Sequence, residues 1–332
     1  MAAKKKLSKN MLTLIALGAA YAILAVMLYT GGMSRQMVGM LIPVSVYVVL
    51  AVSLNLVVGL LGELSLGHAG FMSLGLFSGC LVSLALKDSL GLALRLPVSM
   101  IAGGLVAAVG GLIVGLPALR LRGDYLAIVT LACCEIIKSV IINLNFTGGA
   151  RGLNTAPIYS DAASLLPFAI VLVFLTAIVM MHLKKSKQGR AIMAIRDNRI
   201  AAESIGIGVT YYKLAVFVLA AFFAGAAGTL YGHCFANVKA ASFDYNVSIE
   251  ILVIVVLGGM GSIRGSIIAA IVLRVLPEAL RDFQDYRMLA YAVVLILVML
   301  GTNNPTLKQF FDRFKPAKLL EKLKLKQKVQ EG

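Results

Sequence analysis

Long apolar runs, with few charges inside them, recur along this chain and constrain its fold more than any other feature. They lie at about 11–30, 38–61, 65–86, 97–116, 125–143, 165–183, 213–233, 249–257, 265–276 and 288–302. A helix needs roughly 20 apolar residues to cross about 30 Å of hydrocarbon, and most of the runs are near that length. A soluble domain is excluded, because 60% of the residues are hydrophobic and only 14% are charged, too few to clothe a polar surface. Within lipid every backbone amide must be satisfied internally, which leaves helices as the spanning element for such runs. The expected fold is all-α: a polytopic transmembrane helix bundle of about 8–10 spans, some of them discontinuous.

The formal net charge is +16, which raises nucleic-acid binding as a first thought. No recognised nucleic-acid motif accompanies the charge, and nucleic acid is not an expected partner. The basic residues cluster at Lys4 to Lys9, at Lys184 to Arg199 and from Lys308 onward, between or after the apolar runs. The positive-inside rule places such segments in the cytoplasm. The lysines at 4, 5, 6 and 9 put the N-terminus inside. Counting crossings from there also puts Arg120, Arg122 and the stretch from Lys184 to Arg199 inside. The loops at 31–37, 87–96, 144–164 and 234–248 fall outside and carry few basic residues. The expected organisation is a basic cytoplasmic segment at 1–10, a membrane domain at 11–302 and a basic cytoplasmic tail at 303–332. The first apolar run is too long for a secretory signal and is followed by further spans.

Two glycine-rich interruptions complicate the count. If 249–276 were one span, the basic tail would lie outside. A break at Gly258-Gly259-Met260-Gly261-Ser262 restores the parity, but 249–257 alone is too short to cross at about 1.5 Å per residue. A discontinuous or re-entrant element around Gly258 to Gly265 is the preferred solution; a miscounted helix elsewhere is the competing one. The other interruption runs from Gly59 to Gly70. There, small residues either let helices approach closely, mark a break, or form a plain turn.

The chain carries no GxxxxGK[ST] phosphate loop, HExxH pair or Ser/His/Asp arrangement. Its four cysteines form no CxxC pair, and its three histidines are scattered, so no metal site is expected. No enzymatic activity and no cofactor are expected in this chain. If ATP and magnesium drive it, they are bound by other subunits.

The polar segment Lys184 to Lys213 is basic at first and then reads as short helices. Ala191, Ala194, Ile195, Ala201, Ala202 and Ile205 supply apolar positions, and Asp197 or Asn198 can cap a second helix. Such a segment suits the groove of a partner protein; a plain connector reads equally well. Inside the spans, Glu135 and Lys138 are three residues apart and share a helix face. A charge in lipid needs a partner or a wet cavity. The pair is either a structural ion pair, the favoured reading, or a polar station on a solute path. With Asn55, Ser65, His68, Gly258 and Gly259 at the interruptions, it makes up the candidate translocation path. Glu63, Glu250 and Arg274 are expected near the membrane interfaces.

Four stretches, taken together, resemble the permeases of high-affinity branched-chain amino acid ABC importers. They are Leu54 to Gly75, Leu116 to Ile136, Arg190 to Ile207 and Val256 to Ala270. Arg190 to Gly206 is also similar to the E-A-A-x-x-x-G coupling loop of bacterial ABC import permeases. Ala201, Ala202 and Gly206 match that pattern, and Ile200 stands where the family has Glu. The resemblance implies an ATPase-coupling role for Arg190, Arg196, Asp197, Asn198, Ala201, Ala202 and Gly206. It further implies a second homologous permease, two cytoplasmic ATPase subunits, a periplasmic substrate-binding protein, and a bacterial inner-membrane location with both termini inside. Related permeases carry urea or short amides. A gradient-driven carrier or channel, with Glu135 as a proton relay, is the rival reading.

Overall fold

The computed structural model describes residues 9–121 and 123–280, with Leu289, Ala292, Val293 and Ile296 beyond them. Most of the expected segment 1–10, Arg122, the expected span 288–302 apart from those four positions, and the tail 303–332 lie outside the described residues. The chain divides into two units, residues 1–275 and 276–332. The first holds all the helices named here except the end of the last one.

Eleven α-helices are described. They are α1 Lys9–Tyr29, α2 Arg35–Asn55, α3 His68–Ala85, α4 Leu92–Ala118, α5 Asp124–Asn143, α6 Ala162–Lys185, α7 Lys187–Asp197, α8 Arg199–Ser204, α9 Val209–Gly232, α10 Tyr245–Gly258 and α11 Ile263–Ala279. α2 continues into a π-helical stretch, Leu56–Leu61. Among the described residues, seven stretches are long and apolar enough to cross a membrane: Arg35–Leu61, His68–Ala85, Leu92–Ala118, Asp124–Asn143, Ala162–Lys185, Val209–Gly232 and Ala240–Gly258. The chain is therefore a polytopic helical membrane protein. The β structure among the described residues is one antiparallel pair, β1 Leu153–Asn154 with β2 Asn237–Val238.

α2 runs through the middle of the bundle, with 94% of its most apolar window buried, whereas α5 lies at the periphery with 28%. The closest packing joins α3, α4 and α9, and small residues permit it. A Cβ on Gly75 would run into the backbone of Gly225, and one on Gly225 would meet Ala107 and the Gly103 carbonyl. Helices can approach this closely only where side chains are missing. The contact is stitched by Thr229, whose hydroxyl lies 2.9 Å from the Gly75 carbonyl and 3.1 Å from that of Gly225.

The interruption from Gly59 to Gly70 is both a break and a close approach. After the π-helical turn the chain runs without helix from 62 to 67 and returns alongside α2, where α3 starts. His68 Nε2 lies 2.8 Å from Ser53 Oγ of α2, and Ala69 N donates to Ser248 Oγ of α10 at 3.1 Å. Gly67 abuts Thr130 and Gly70 abuts Cys134, both on α5.

The break around Gly258 to Gly265 is also present, as a tight turn between two helices. Gly259 and Gly261 have φ of +88° and +80°, in the region that only glycine occupies without strain. The apolar run at 249–257 proves to be part of a longer element. Asp244 accepts from Asn246 N and Val247 N at 3.1 and 3.3 Å and starts α10 at Tyr245. Polar Asp244, Asn246 and Glu250 had hidden this start from hydropathy. At the opposite end, the loops before α6 and after α9 are joined. Besides the β pair, Thr155 N donates to Ala236 O at 2.9 Å and Ser160 N to His233 O at 3.1 Å. Both loops carry few basic residues and are expected on one side of the membrane.

Candidate coupling face and polar interior

Four elements converge at one end of the bundle. Asn55, the last residue of α2 before its π-helical stretch, uses both ends of its amide. Its Nδ2 donates to Ser266 Oγ at 2.9 Å, and its Oδ1 accepts from Gly261 N at 2.7 Å. Lys184, near the end of α6, donates to the Gly261 carbonyl at 2.6 Å. Arg196 of α7 donates to the Gly59 carbonyl at 3.1 Å and lays its stem against Gly62. A π-helical turn frequently marks a functional site, and here it is gripped from both sides. Glu63 and Lys213 form a buried ion pair between the non-helical stretch and the first turns of α9, with side chains 15% and 5% exposed. Removing one partner of such a pair strands a buried charge and costs about 3–5 kcal/mol.

α6 runs to Lys185 and α9 begins at Val209, so 186–208 is the segment between them. Ser186 Oγ accepts from Gly189 N at 3.0 Å and starts α7. Asn198 Oδ1 accepts from Ala201 N at 3.1 Å and starts α8, as its sequence position suggested. Arg199 and Glu203 pair across one turn at 2.8 Å, Arg196 pairs with Asp197 at 2.9 Å, and Arg190 donates to the Lys185 carbonyl at 3.2 Å. Ile192, Ile195 and Ala202 are buried against the bundle. Exposed apolar side chains lie here too: Ile200 and Ile205 are 80% and 74% exposed, and Tyr211, in the first turn of α9, is 71% exposed. Ala201 and Gly206 are exposed beside them, and Gly206 has φ +82° with open space around it.

The other residues singled out from the sequence separate into distinct places. His68 pairs with Ser53 in the core, and buried Ser65 Oγ has no hydrogen-bond partner among the described residues. Gly258 and Gly259 belong to the turn held by Asn55. Glu135 and Lys138 form an ion pair on α5, and Glu135 also accepts from Tyr245 N at 3.1 Å. Glu135 lines a shallow cleft with Ser139 and Asn143, and Asn55 a separate small cavity with Lys184.

Sequence reasoning missed three features. Glu63 is held by Lys213, as above. Glu250 and Arg274, expected near the interfaces, pair with each other at 3.1 Å, with the Arg274 guanidinium 4.0 Å from the centre of the Tyr47 ring. Arg95 in the first turn of α4 is 9% exposed and forms no ion pair among the described residues. The available signal was that a charge within an apolar stretch demands a counterpart, but its identity is a long-range fact. At the end of α9, His233 Nδ1 lies 2.9 Å from the Thr229 carbonyl and must donate to it. Its Nε2 then accepts from Ser83 Oγ at 2.9 Å. Burial pushes this imidazole's pKa below its ordinary 6.5.

The fold and these contacts define a multi-pass helical membrane protein with a polar, ion-paired interior. The chain belongs to the family described as branched-chain amino acid transport system / permease component, whose model matches residues 36–301. Members of this family are transport subunits rather than enzymes. The high-affinity branched-chain amino acid transport system permease protein LivM of Salmonella typhimurium is 36% identical over 298 residues, covering 80% of this chain and 69% of that protein. LivM of Escherichia coli is 37% identical, covering 77% of this chain and 66% of its own length. The chain thus spans about two thirds of these relatives. The ribose import permease protein RbsC of Haemophilus influenzae is 27% identical, covering 78% and 82%. No solved structure matches.

Proposed function

We propose that this chain is the translocating permease of an ATP-driven importer of branched-chain amino acids, in the inner membrane of a bacterium with both termini inside. Its partners are a second, homologous permease, two cytoplasmic ATPase subunits that bind the ATP and magnesium, and a periplasmic substrate-binding protein. The observation that carries this reading is the segment 186–208. It buries one side against the bundle while Ile200 and Ile205 are exposed, with Tyr211 exposed just beyond it on α9. Exposed aliphatic side chains on short helices fit a groove in a partner. Ile200, where import permeases carry Glu, makes this contact apolar rather than ionic.

The segment is wired inward. Arg196 holds the π-helical end of α2, and Asn55 and Lys184 hold the α10–α11 turn. ATPase closure against α7 and α8 would move this knot and, through α2 and α10, the polar core around His68 and Ser65. Glu135 is occupied by Lys138 and Tyr245 N, which disfavours a role as proton relay. The relatives named for branched-chain amino acids favour that substrate over ribose or urea.

The test is leucine uptake and ATPase activity in the assembled transporter. Ala202→Glu places a carboxylate on the buried side of α8, and Gly206→Arg places a large side chain at a strained, exposed position. Both should abolish uptake and receptor-stimulated ATP hydrolysis while membrane insertion persists. Normal uptake by both variants would remove the coupling assignment.

A further inference from the structure

A second basic feature lies at the same end of the bundle and shares Lys184 with the contacts above. A cleft of about 340 Å³ opens between α6, α7 and α11, lined by Met181, Lys184, Lys185, Met193, Ser262 and Arg264 among others. Among the described residues no carboxylate lines it. None of the ion pairs among the described residues involves Lys184, Lys185 or Arg264. Arg264 Nη2 is buried without a hydrogen-bond partner among the described residues. A buried guanidinium nitrogen lacking an acceptor carries a desolvation cost that an anion would relieve. The first turn of α11 opens here as well. Ser262 Oγ accepts from Gly265 N at 3.2 Å, and the positive end of the helix adds to the three cationic side chains.

The cleft's position limits which anion it can take. Lys184 and Lys185 end a 24-residue membrane helix, so the cleft lies where hydrocarbon gives way to water. Leading away from it along α11, Ile268, Ile271, Val272 and Val275 form one stripe at helical spacing and are 62%, 38%, 49% and 42% exposed. A cationic hollow at the bilayer surface with an apolar stripe running into the bilayer matches a molecule with a phosphate at one end and acyl chains at the other. Basic pockets between membrane helices recognise such headgroups.

We propose that this cleft binds an anionic phospholipid. Its phosphate lies between Lys185 and Arg264 at the start of α11, and its chains lie along Ile268, Val272 and Val275. Lys184 is already engaged with the Gly261 carbonyl, and so a bound phosphate would also brace the α10–α11 turn. The proposal rests on the membrane-spanning reading but not on the identity of the imported solute.

The test is lipid retention by the purified transporter, read by native mass spectrometry together with thermal stability in detergent. Phosphatidylglycerol should be retained and should raise the melting temperature, whereas phosphatidylcholine should do neither. Inorganic phosphate at equal concentration should also have no effect, which separates a lipid from a free anion. Lys185→Gln with Arg264→Gln removes two charges worth about 1 kcal/mol each at a membrane surface and should weaken retention roughly 30-fold. Arg264→Lys should keep most of it. Equal retention of the two lipids by the unmodified protein, unchanged retention in the double variant, or equal stabilisation by inorganic phosphate would each overturn the proposal. The lipid comparison on the unmodified protein decides the matter even if the double variant fails to fold. Uptake is not part of the readout, so failure here leaves the import reading standing.

Discussion

His233 shows how one buried side chain can set a pH limit. Its two ring nitrogens are committed to Thr229 and Ser83 in the neutral form, and burial pushes its pKa below 6.5. The unfolded chain binds a proton near that pH, whereas the folded protein resists until lower pH. The stabilisation is therefore complete above about 6.5 and is lost as pH falls toward the depressed folded value. Melting temperature in detergent should decline on acidification below pH 6.5, and His233→Asn should make that decline shallower. An unchanged slope in the variant would show that this imidazole is not the titrating group. The sequence shows this histidine as the last residue of an apolar run. It does not show Ser83, 150 residues earlier, which completes the neutral arrangement.

At the scale of elements, the packing of α3, α4 and α9 should be the least forgiving part of the bundle. Gly225→Leu would drive a side chain into Ala107 and the Gly103 carbonyl. Backbone atoms cannot yield as flexible side chains do, so the loss should exceed the roughly 1–3 kcal/mol of ordinary overpacking. Little folded protein should be recovered by size exclusion in detergent. Gly39→Leu, where nothing lies within 4 Å, should behave like the unmodified protein. Equal yields from both variants would contradict the packing described here. The helices were legible because apolar runs of spanning length have few alternatives in lipid. The two interruptions were legible as places, since glycine clusters mark them, but their forms were not. The π-helical turn at Leu56–Leu61 and the early start of α10 depend on Asn55 and Asp244 finding their partners. Hydropathy counts such polar residues only as noise.

At the scale of the molecule, the charge pattern puts the 186–208 segment on one side of the membrane and the β1–β2 loops on the other. With the native cysteines replaced, a cysteine at Asn154 or Asn237 should react with an impermeant maleimide added to intact cells or spheroplasts. A cysteine at Asn198 should react only after permeabilisation, and labelling of Asn198 from outside would reverse the orientation. An expectation for the two sides could be drawn from basic residues alone. The tying of the two far loops could not, because Leu153 and Val238 carry no sign of each other. That tie has a mechanical consequence. α6 and α9 flank the 186–208 segment at one end, and at the other they are joined through Thr155, Ser160 and the β pair. The two helices are thus linked at both ends, like the arms of a pair of tongs with a fixed rivet. A thrust on the near end cannot splay the arms freely. It must swing them about the rivet, and a small displacement there becomes a tilt along their whole length.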